Sequence, residues 1–363
     1  MMVKYFILSV FSISSVYASL PSLIIFGDSL SSNGNNEVQE GHSYYGKRLT
    51  NGPVWNEYAA YYSNYTVINY SYAGAATDNQ YIYDITKTKV TIPSLRDQIE
   101  KFNNTFNGKL DKNAIKNDIV GITVGSNDIY YLKDKILKDP GLFLNTVSKV
   151  VDNLVKNIST LADMGYSRFI VSNFPKAAEI PLLSTASGFR KLLLNVGATA
   201  LNNYHSSKIS AITKSKKLAS MYILNLYGIQ STLRENPSLL KSIGVTDLGS
   251  ACYNPYNIYK LKPSCSDPRK FYFIDDIHPT TIIHAILGRI ASDLINGRKF
   301  ALDTGYLKYV ISDINNKKIY TSNPENNYLD PGLTEITNKL TYDIEDVENN
   351  LDELISQKNS PDY

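Results

Sequence analysis

An α/β fold, with a central parallel sheet held between two layers of helices, is what this sequence predicts, and three observations carry it. Short apolar, β-branched runs recur along the chain, segments of helical period fill the intervals, and polar motifs able to do chemistry stand just beyond the ends of the runs. The runs are Leu23 to Phe26, Thr66 to Ser71, Ile119 to Val124, Arg168 to Ser172 and Leu218 to Leu226. Bounded mostly by Gly or Asn and apolar on both faces, they suit strands covered on both sides. Between them lie Leu95, Ile99 and Phe102 after Pro93, then Leu142 to Met164 and Phe189 to Ile212, with Thr280 to Leu294 after the last run. Strands alternating with helices imply right-handed crossovers and a three-layer α/β/α sandwich. In such a sheet, functional groups gather beyond the carboxyl ends of the strands.

The ends of the chain differ from its middle. Met1-Met2-Val3-Lys4, the mostly apolar Tyr5 to Val16 and the small residue Ala18 predict a secretory signal peptide over residues 1–18, and hence an exported protein. The apolar run is shorter than the roughly 20 residues of a membrane-spanning helix. Residues 19–300 read as one domain, monomeric by expectation, and 301–363 as an extension. In that extension Leu340, Ile344, Val347, Leu351 and Leu354 keep helical spacing on an acidic background near 340–355. All the candidate chemical groups precede residue 280, so a chain cut near Asn323 is expected to keep its activity.

Composition narrows the partners. Net charge is +3 with both signs interspersed, which gives no field directed at nucleic acid. The two cysteines, Cys252 and Cys265, form a disulfide in an oxidising compartment, stabilising by ~3 kcal/mol. Histidines stand only at 42, 205, 278 and 284, too scattered for a metal site, and no phosphate loop, G-x-S-x-G elbow or H-E-x-x-H helix occurs, so no metal or cofactor is expected. Asn-x-Ser/Thr sequons occur at Asn64, Asn69, Asn103 and Asn157, and Asn69, in an apparent strand, suits a glycan least.

Four dispersed motifs supply the parts of a nucleophilic site. Gly27-Asp28-Ser29-Leu30 follows the first run, Tyr72-Ala73-Gly74-Ala75-Ala76 the second and Gly125-Ser126-Asn127-Asp128 the third; Asp275-Asp276-Ile277-His278-Pro279 comes after the fifth. Ser29 is the candidate nucleophile, whose hydroxyl needs a base within hydrogen-bond reach. His278 is the candidate base, and Asp275, three residues earlier, can fix its tautomer, with Asp276 the competitor for that role. The N–H groups of Ser29 and Gly74 and the side-chain amide of Asn127 are candidate donors to an oxyanion. Read alone, each motif has a plain structural alternative: a capping serine, a turn glycine, an Asx-turn asparagine, a helix-terminal histidine.

Together these blocks resemble those of the GDSL or SGNH hydrolase family, whose Ser, Gly, Asn and His fall on Ser29, Gly74, Asn127 and His278, with its Asp-x-x-His pair on Asp275 and His278. Asn33-Gly34-Asn35, Asn51-Gly52-Pro53-Val54-Trp55 and Asn173-Phe174-Pro175 extend the resemblance, which runs from about residue 22 to 295. Ser32 departs from it, standing where many relatives carry Asp. The resemblance implies a flavodoxin-like sheet and an ester hydrolase working through an acyl-enzyme, and it is strongest to secreted plant-type and fungal members, fungal acetylesterases among them. Short-acyl carbohydrate esters are therefore the leading expectation, with Trp55 and the 28 tyrosines suited to stacking on a sugar ring, to lining an acyl-chain groove or to the core. A lipase or phospholipase, an acyltransferase with the same triad and a silent binding protein are the alternatives.

Overall fold

The first strand shows how the sheet comes to be buried on both faces. In β1 (Ser22–Gly27), Leu23 and Ile25 point into one apolar cluster and Ile24 and Phe26 into another, so the alternation of a pleated strand serves two cores. A computed structural model describes residues 21–35, 44–106, 108–253, 265–317 and 341–360. The signal-peptide segment, His42 and Leu340 lie outside them.

Five strands follow the sequence reading: β1, β2 (Thr66–Asn69), β3 (Ile119–Thr123), β4 (Arg168–Ser172) and β5 (Ser220–Leu224). They pair in parallel in the order β5-β4-β3-β1-β2. The order reverses at β1, with β2 on one side and β3 on the other, which opens a crevice beyond its carboxyl end. On one face lie α1 (Trp55–Ser63) and α9 (Thr281–Ile295); on the other, α3 (Leu95–Phe106) and α5 (Pro140–Asp163), the latter packed against α6 (Gly188–Ser215). This is the expected three-layer α/β/α sandwich. Among the described residues no helix is long and apolar enough to cross a membrane.

After residue 300 the helical spacing of Ile344, Val347, Leu351 and Leu354 is met by two short helices packed on the domain, alongside elements the sequence does not announce. Residues 304–317 form a helix whose Leu307, Val310, Ile311 and Ile314 join the cluster of α1 and α9. A sixth strand, β8 (Thr341–Tyr342), pairs in parallel with β2 at the sheet edge. The short helices Ile344–Asn349 and Leu351–Lys358 then bury Ile344, Val347 and Leu354 against the second cluster. Lys358 closes the arrangement: its Nζ lies 2.9 and 2.8 Å from the two carboxylate oxygens of buried Asp118, which also accepts from the Ser22 N–H at 2.7 Å. Residue 300 is thus not a packing boundary, and a cut near Asn323 would remove an edge strand and the ammonium facing a buried carboxylate. Two residues of strand carry no readable period, which is why the sequence does not announce β8.

A second, two-stranded sheet joins β6 (Asp247–Ala251) to β7 (Phe271–Phe273), and the Cys252–Cys265 disulfide lies beside it. Asn69 and Asn157 are buried, so of the four sequons only Asn64 and Asn103 have exposed side chains for a glycan.

Candidate active site

Ser29 reaches the crevice because β1 turns sharply at its end. Gly27 adopts φ +137°, and a Cβ there would fall 2.0 Å from the Thr123 carbonyl oxygen on β3, so only glycine fits so close to the neighbouring strand. The Gln98 side chain grips this peptide from both sides, accepting from the Gly27 N–H at 2.8 Å and donating to its carbonyl at 2.9 Å. The N–H groups of Ser31 and Ser32 then close onto the Asp28 carbonyl, and Ser29 sits half-buried at the first position of the turn.

The loop from Ile274 to Thr280 brings the base. It is pinned by the Ile274 N–H on the His278 carbonyl (2.9 Å), the Thr280 N–H on the Tyr272 carbonyl (2.9 Å) and the Thr50 hydroxyl on the Pro279 carbonyl (2.9 Å). His278 Nε2 lies 2.8 Å from Ser29 Oγ, and Nδ1 lies 2.7 Å from Asp275 Oδ2 and 3.0 Å from Oδ1. Asp275 Oδ1 also accepts from the N–H groups of Ile277 (2.8 Å) and His278 (2.7 Å), and Oδ2 from the Tyr44 hydroxyl. Asp276 takes no part; its carbonyl instead receives the Leu182 N–H at 3.0 Å. Burial alone would push both partners toward their neutral forms. The ion-pair attraction and hydrogen bonds outweigh it, so Asp275 is held below the ordinary carboxylate range and His278 above the ordinary histidine value.

The candidate oxyanion donors are framed by the start of α4 (Ser126–Lys138). Three of its side chains reach the loop after β2: Asn127 Nδ2 donates to the Ala75 carbonyl (3.0 Å), Asp128 accepts from the Thr77 N–H (2.9 Å) and hydroxyl (2.6 Å), and the Tyr131 hydroxyl donates to the Gly74 carbonyl (2.9 Å). With its carbonyl held by Tyr131 and φ at +82°, Gly74 keeps its N–H free; among the described residues neither that N–H nor the one of Ser29 has a protein acceptor. A Cβ at Gly74 would meet Ile92 Cδ1 at 2.7 Å. Asn127 spends one amide proton on Ala75 and has a second to offer. Two buried carboxyls flank this frame, Asp28 and Asp128, and burial raises each to about 7.

Of the five predicted residues, Ser29, His278 and Asp275 form one hydrogen-bonded line, while Gly74 and Asn127 stand together in the segments that follow β2 and β3. Sequence reading passed over Tyr44, Gln98, Asp128 and Tyr131. Tyr131 had a local signal, being one helical turn beyond Asn127, and Asp128 lies inside a motif already singled out; Tyr44 and Gln98 had none. Of the readings open for Trp55, the structure supports the core one: it is 2 % exposed, its Nε1 donates to Ser31 Oγ at 3.0 Å and its ring packs by Gly121, so it offers no platform to a sugar. His284 is a core residue whose Nδ1 accepts from the Trp55 N–H (3.3 Å), and burial lowers it to about 3. Ser32, where the resemblance fails, is buried and donates its N–H to the Asp28 carbonyl.

Residues 23–290 match the profile of the GDSL-like lipase/acylhydrolase family. The chain belongs to that family. Among curated relatives, a GDSL esterase/lipase of Arabidopsis thaliana is 24% identical over 202 residues, covering 52% of this chain and 62% of the relative. The thermolabile hemolysin of Vibrio parahaemolyticus is 24% identical over 279 residues, covering 72% and 60%. The chain thus spans about three fifths of the length of these two relatives. Of solved structures, a carbohydrate acetylesterase from Sinorhizobium meliloti aligns at 14% identity over 76% of this chain and 99% of its own, with a TM-score of 0.39. A likeness of that size says nothing of substrate.

Proposed function

We propose that this protein is a carboxylic ester hydrolase working through an acyl-enzyme at Ser29. The observation that carries the reading is the continuous hydrogen-bonded line from Asp275 through both ring nitrogens of His278 to the Ser29 hydroxyl. With Nδ1–H donated to Asp275, Nε2 is left as the acceptor. It takes the hydroxyl proton as Ser29 Oγ attacks the ester carbonyl, and the N–H groups of Ser29 and Gly74 with Asn127 Nδ2 receive the negative charge that develops on oxygen. The protonated imidazole returns its proton to the departing alcohol. In the second half, His278 draws a proton from water, which attacks the acyl-Ser29 carbonyl and frees the acid. An alcohol in place of that water would make the same site an acyltransferase.

Two exposed aliphatics bear on the substrate. Ile277, 42% exposed, adjoins His278, and Leu182, 44% exposed, is tied to the same loop through Asp276. With Trp55 buried, this rim favours an ester with an apolar part over a plain acetylated sugar, which moves lipid-like esters ahead of the carbohydrate esters expected from sequence. The signal-peptide pattern of residues 1–18 and the Cys252–Cys265 disulfide support secretion.

The test is chemical. A fluorophosphonate probe is expected to label Ser29, and Ser29→Ala to lose both labelling and ester turnover with its thermal midpoint retained. Labelling at another serine would overturn the assignment. p-Nitrophenyl esters of increasing chain length, run beside acetylated xylo-oligosaccharides, decide the substrate reading; a preference for the xylo-oligosaccharides would reverse it.

A further inference from the structure

We infer that Tyr44 is a positioning residue for the triad, setting the basicity of His278 through the Asp275 carboxylate; this rests on the hydrolase reading above. The Tyr44 hydroxyl donates to Oδ2, the oxygen nearer His278 Nδ1, while the two backbone N–H donors go to Oδ1. Oδ2 is therefore shared between one tyrosine and the imidazole. Tyr44 is itself held in place: it is buried with Leu49, Cys252, Tyr253 and Ile274, and Cys265 packs against the same cluster, so the disulfide lies in the wall behind it. The phenol is held protonated, because burial and the adjacent carboxylate both raise it well above the ordinary tyrosine value.

The physical consequence has a sign. A donor on Oδ2 spreads the carboxylate charge and weakens its hold on an imidazolium, so Tyr44 keeps His278 less basic than Asp275 alone would make it. The other ionisable groups facing this pair are Asp28 and His284 beside His278, and Asp276 and Tyr253 beside Tyr44 and Asp275. Asp28 raises the basicity of His278 as it ionises, and His284, kept neutral by burial, adds no charge at working pH. Asp28 and His284 act on His278 directly and not through the Tyr44 hydroxyl.

The experiment is the pH profile of kcat/KM on p-nitrophenyl acetate for the complete protein, for Tyr44→Phe, for Asp275→Asn and for the double variant. Tyr44→Phe is expected to lose about 3- to 30-fold in kcat/KM and to move the acid limb upward by about half a pH unit. In the Asp275→Asn background the same change should cost almost nothing, because its route of action is gone. An acid limb that stays put or moves down, or losses that multiply in the double variant, would overturn the inference. Should Tyr44→Phe fail to fold, site-specific 3-fluorotyrosine at position 44 keeps the shape and strengthens the donor, so the limb must move down; no movement or an upward one overturns it. Absence of probe labelling at Ser29 in the parent protein would instead strike the hydrolase reading and Tyr44 with it, which separates the two failures.

Discussion

Replacing Lys358 by Met is expected to destabilise the protein by about 3 kcal/mol, although the residue lies far along the chain from every group of the active site. Lys358 and Asp118 side chains are 4% and 0% exposed. Methionine keeps the aliphatic stem and removes the ammonium, taking from the buried carboxylate the two charge-assisted hydrogen bonds that Lys358 donates. Breaking one side of a buried pair costs about 3–5 kcal/mol. One feature places this case at the lower end: the Ser22 N–H still donates to Asp118 Oδ1 at 2.7 Å. Against a total stability of about 5–15 kcal/mol, that loss corresponds to a fall of roughly 6 °C in thermal midpoint at roughly 2 °C per kcal/mol. Urea unfolding of the parent, Lys358→Met and Asp118→Asn/Lys358→Met would measure it, with ester turnover at low temperature reporting the folded fraction. The double variant carries no uncompensated charge and should recover most of the loss. A single variant within about 0.5 kcal/mol of the parent, or a double variant no more stable than the single, would refute the view that charge fastens residues 341–360 to the sheet.

Asp275→Asn should cost on the order of 10⁴ in kcat, since an amide can hold the imidazole in the wrong tautomer, whereas Asp276→Asn should leave rates within a few-fold; steady-state kinetics of the two variants decides, and a larger loss at Asp276 would reassign the triad. The pH dependence follows from His278, which the Asp275 carboxylate holds above the ordinary histidine value despite burial. Only the neutral ring can accept the Ser29 proton, so kcat/KM should fall as pH drops through a value above the ordinary histidine one, and an acid limb below that value would contradict the geometry. Stability runs the other way: this group's contribution is complete below its unfolded pKa and is lost as pH rises through the folded one, so thermal midpoints of His278→Gln should lose that component of the pH dependence.

What the sequence disclosed was whatever a few neighbouring residues settle among themselves. Asp275 and His278 pair within one short loop, Ser29 follows a glycine that the adjacent strand demands, and Asn127 opens a helix; each carries its geometry in its own tetrapeptide. Tyr44 reaches Asp275 across 231 residues, and nothing in its surroundings marks it as other than one tyrosine among 28. Trp55 stayed open between readings for a related reason. A lone aromatic in a polar block invites a ligand reading, but its place is set by space over Gly121, which only the assembled sheet reveals. The edge strand β8 was invisible because two residues cannot alternate often enough to show a period, and β6 because its exposed Gly and Ser read as loop.

Ser29 and the imidazole proposed to activate it are 249 residues apart in the chain. A chain still being made therefore carries an ordinary alcohol at position 29 until synthesis has passed His278 and the two ends of that span have closed on each other. On that reading, partial folds and proteolytic fragments that lack either end cannot join Ser29 to His278. On the proposed mechanism, ester turnover would be a readout of completed assembly. A screen for activity-deficient variants will collect folding lesions from any strand along with lesions of the triad, and only covalent labelling set against thermal unfolding will sort the one from the other.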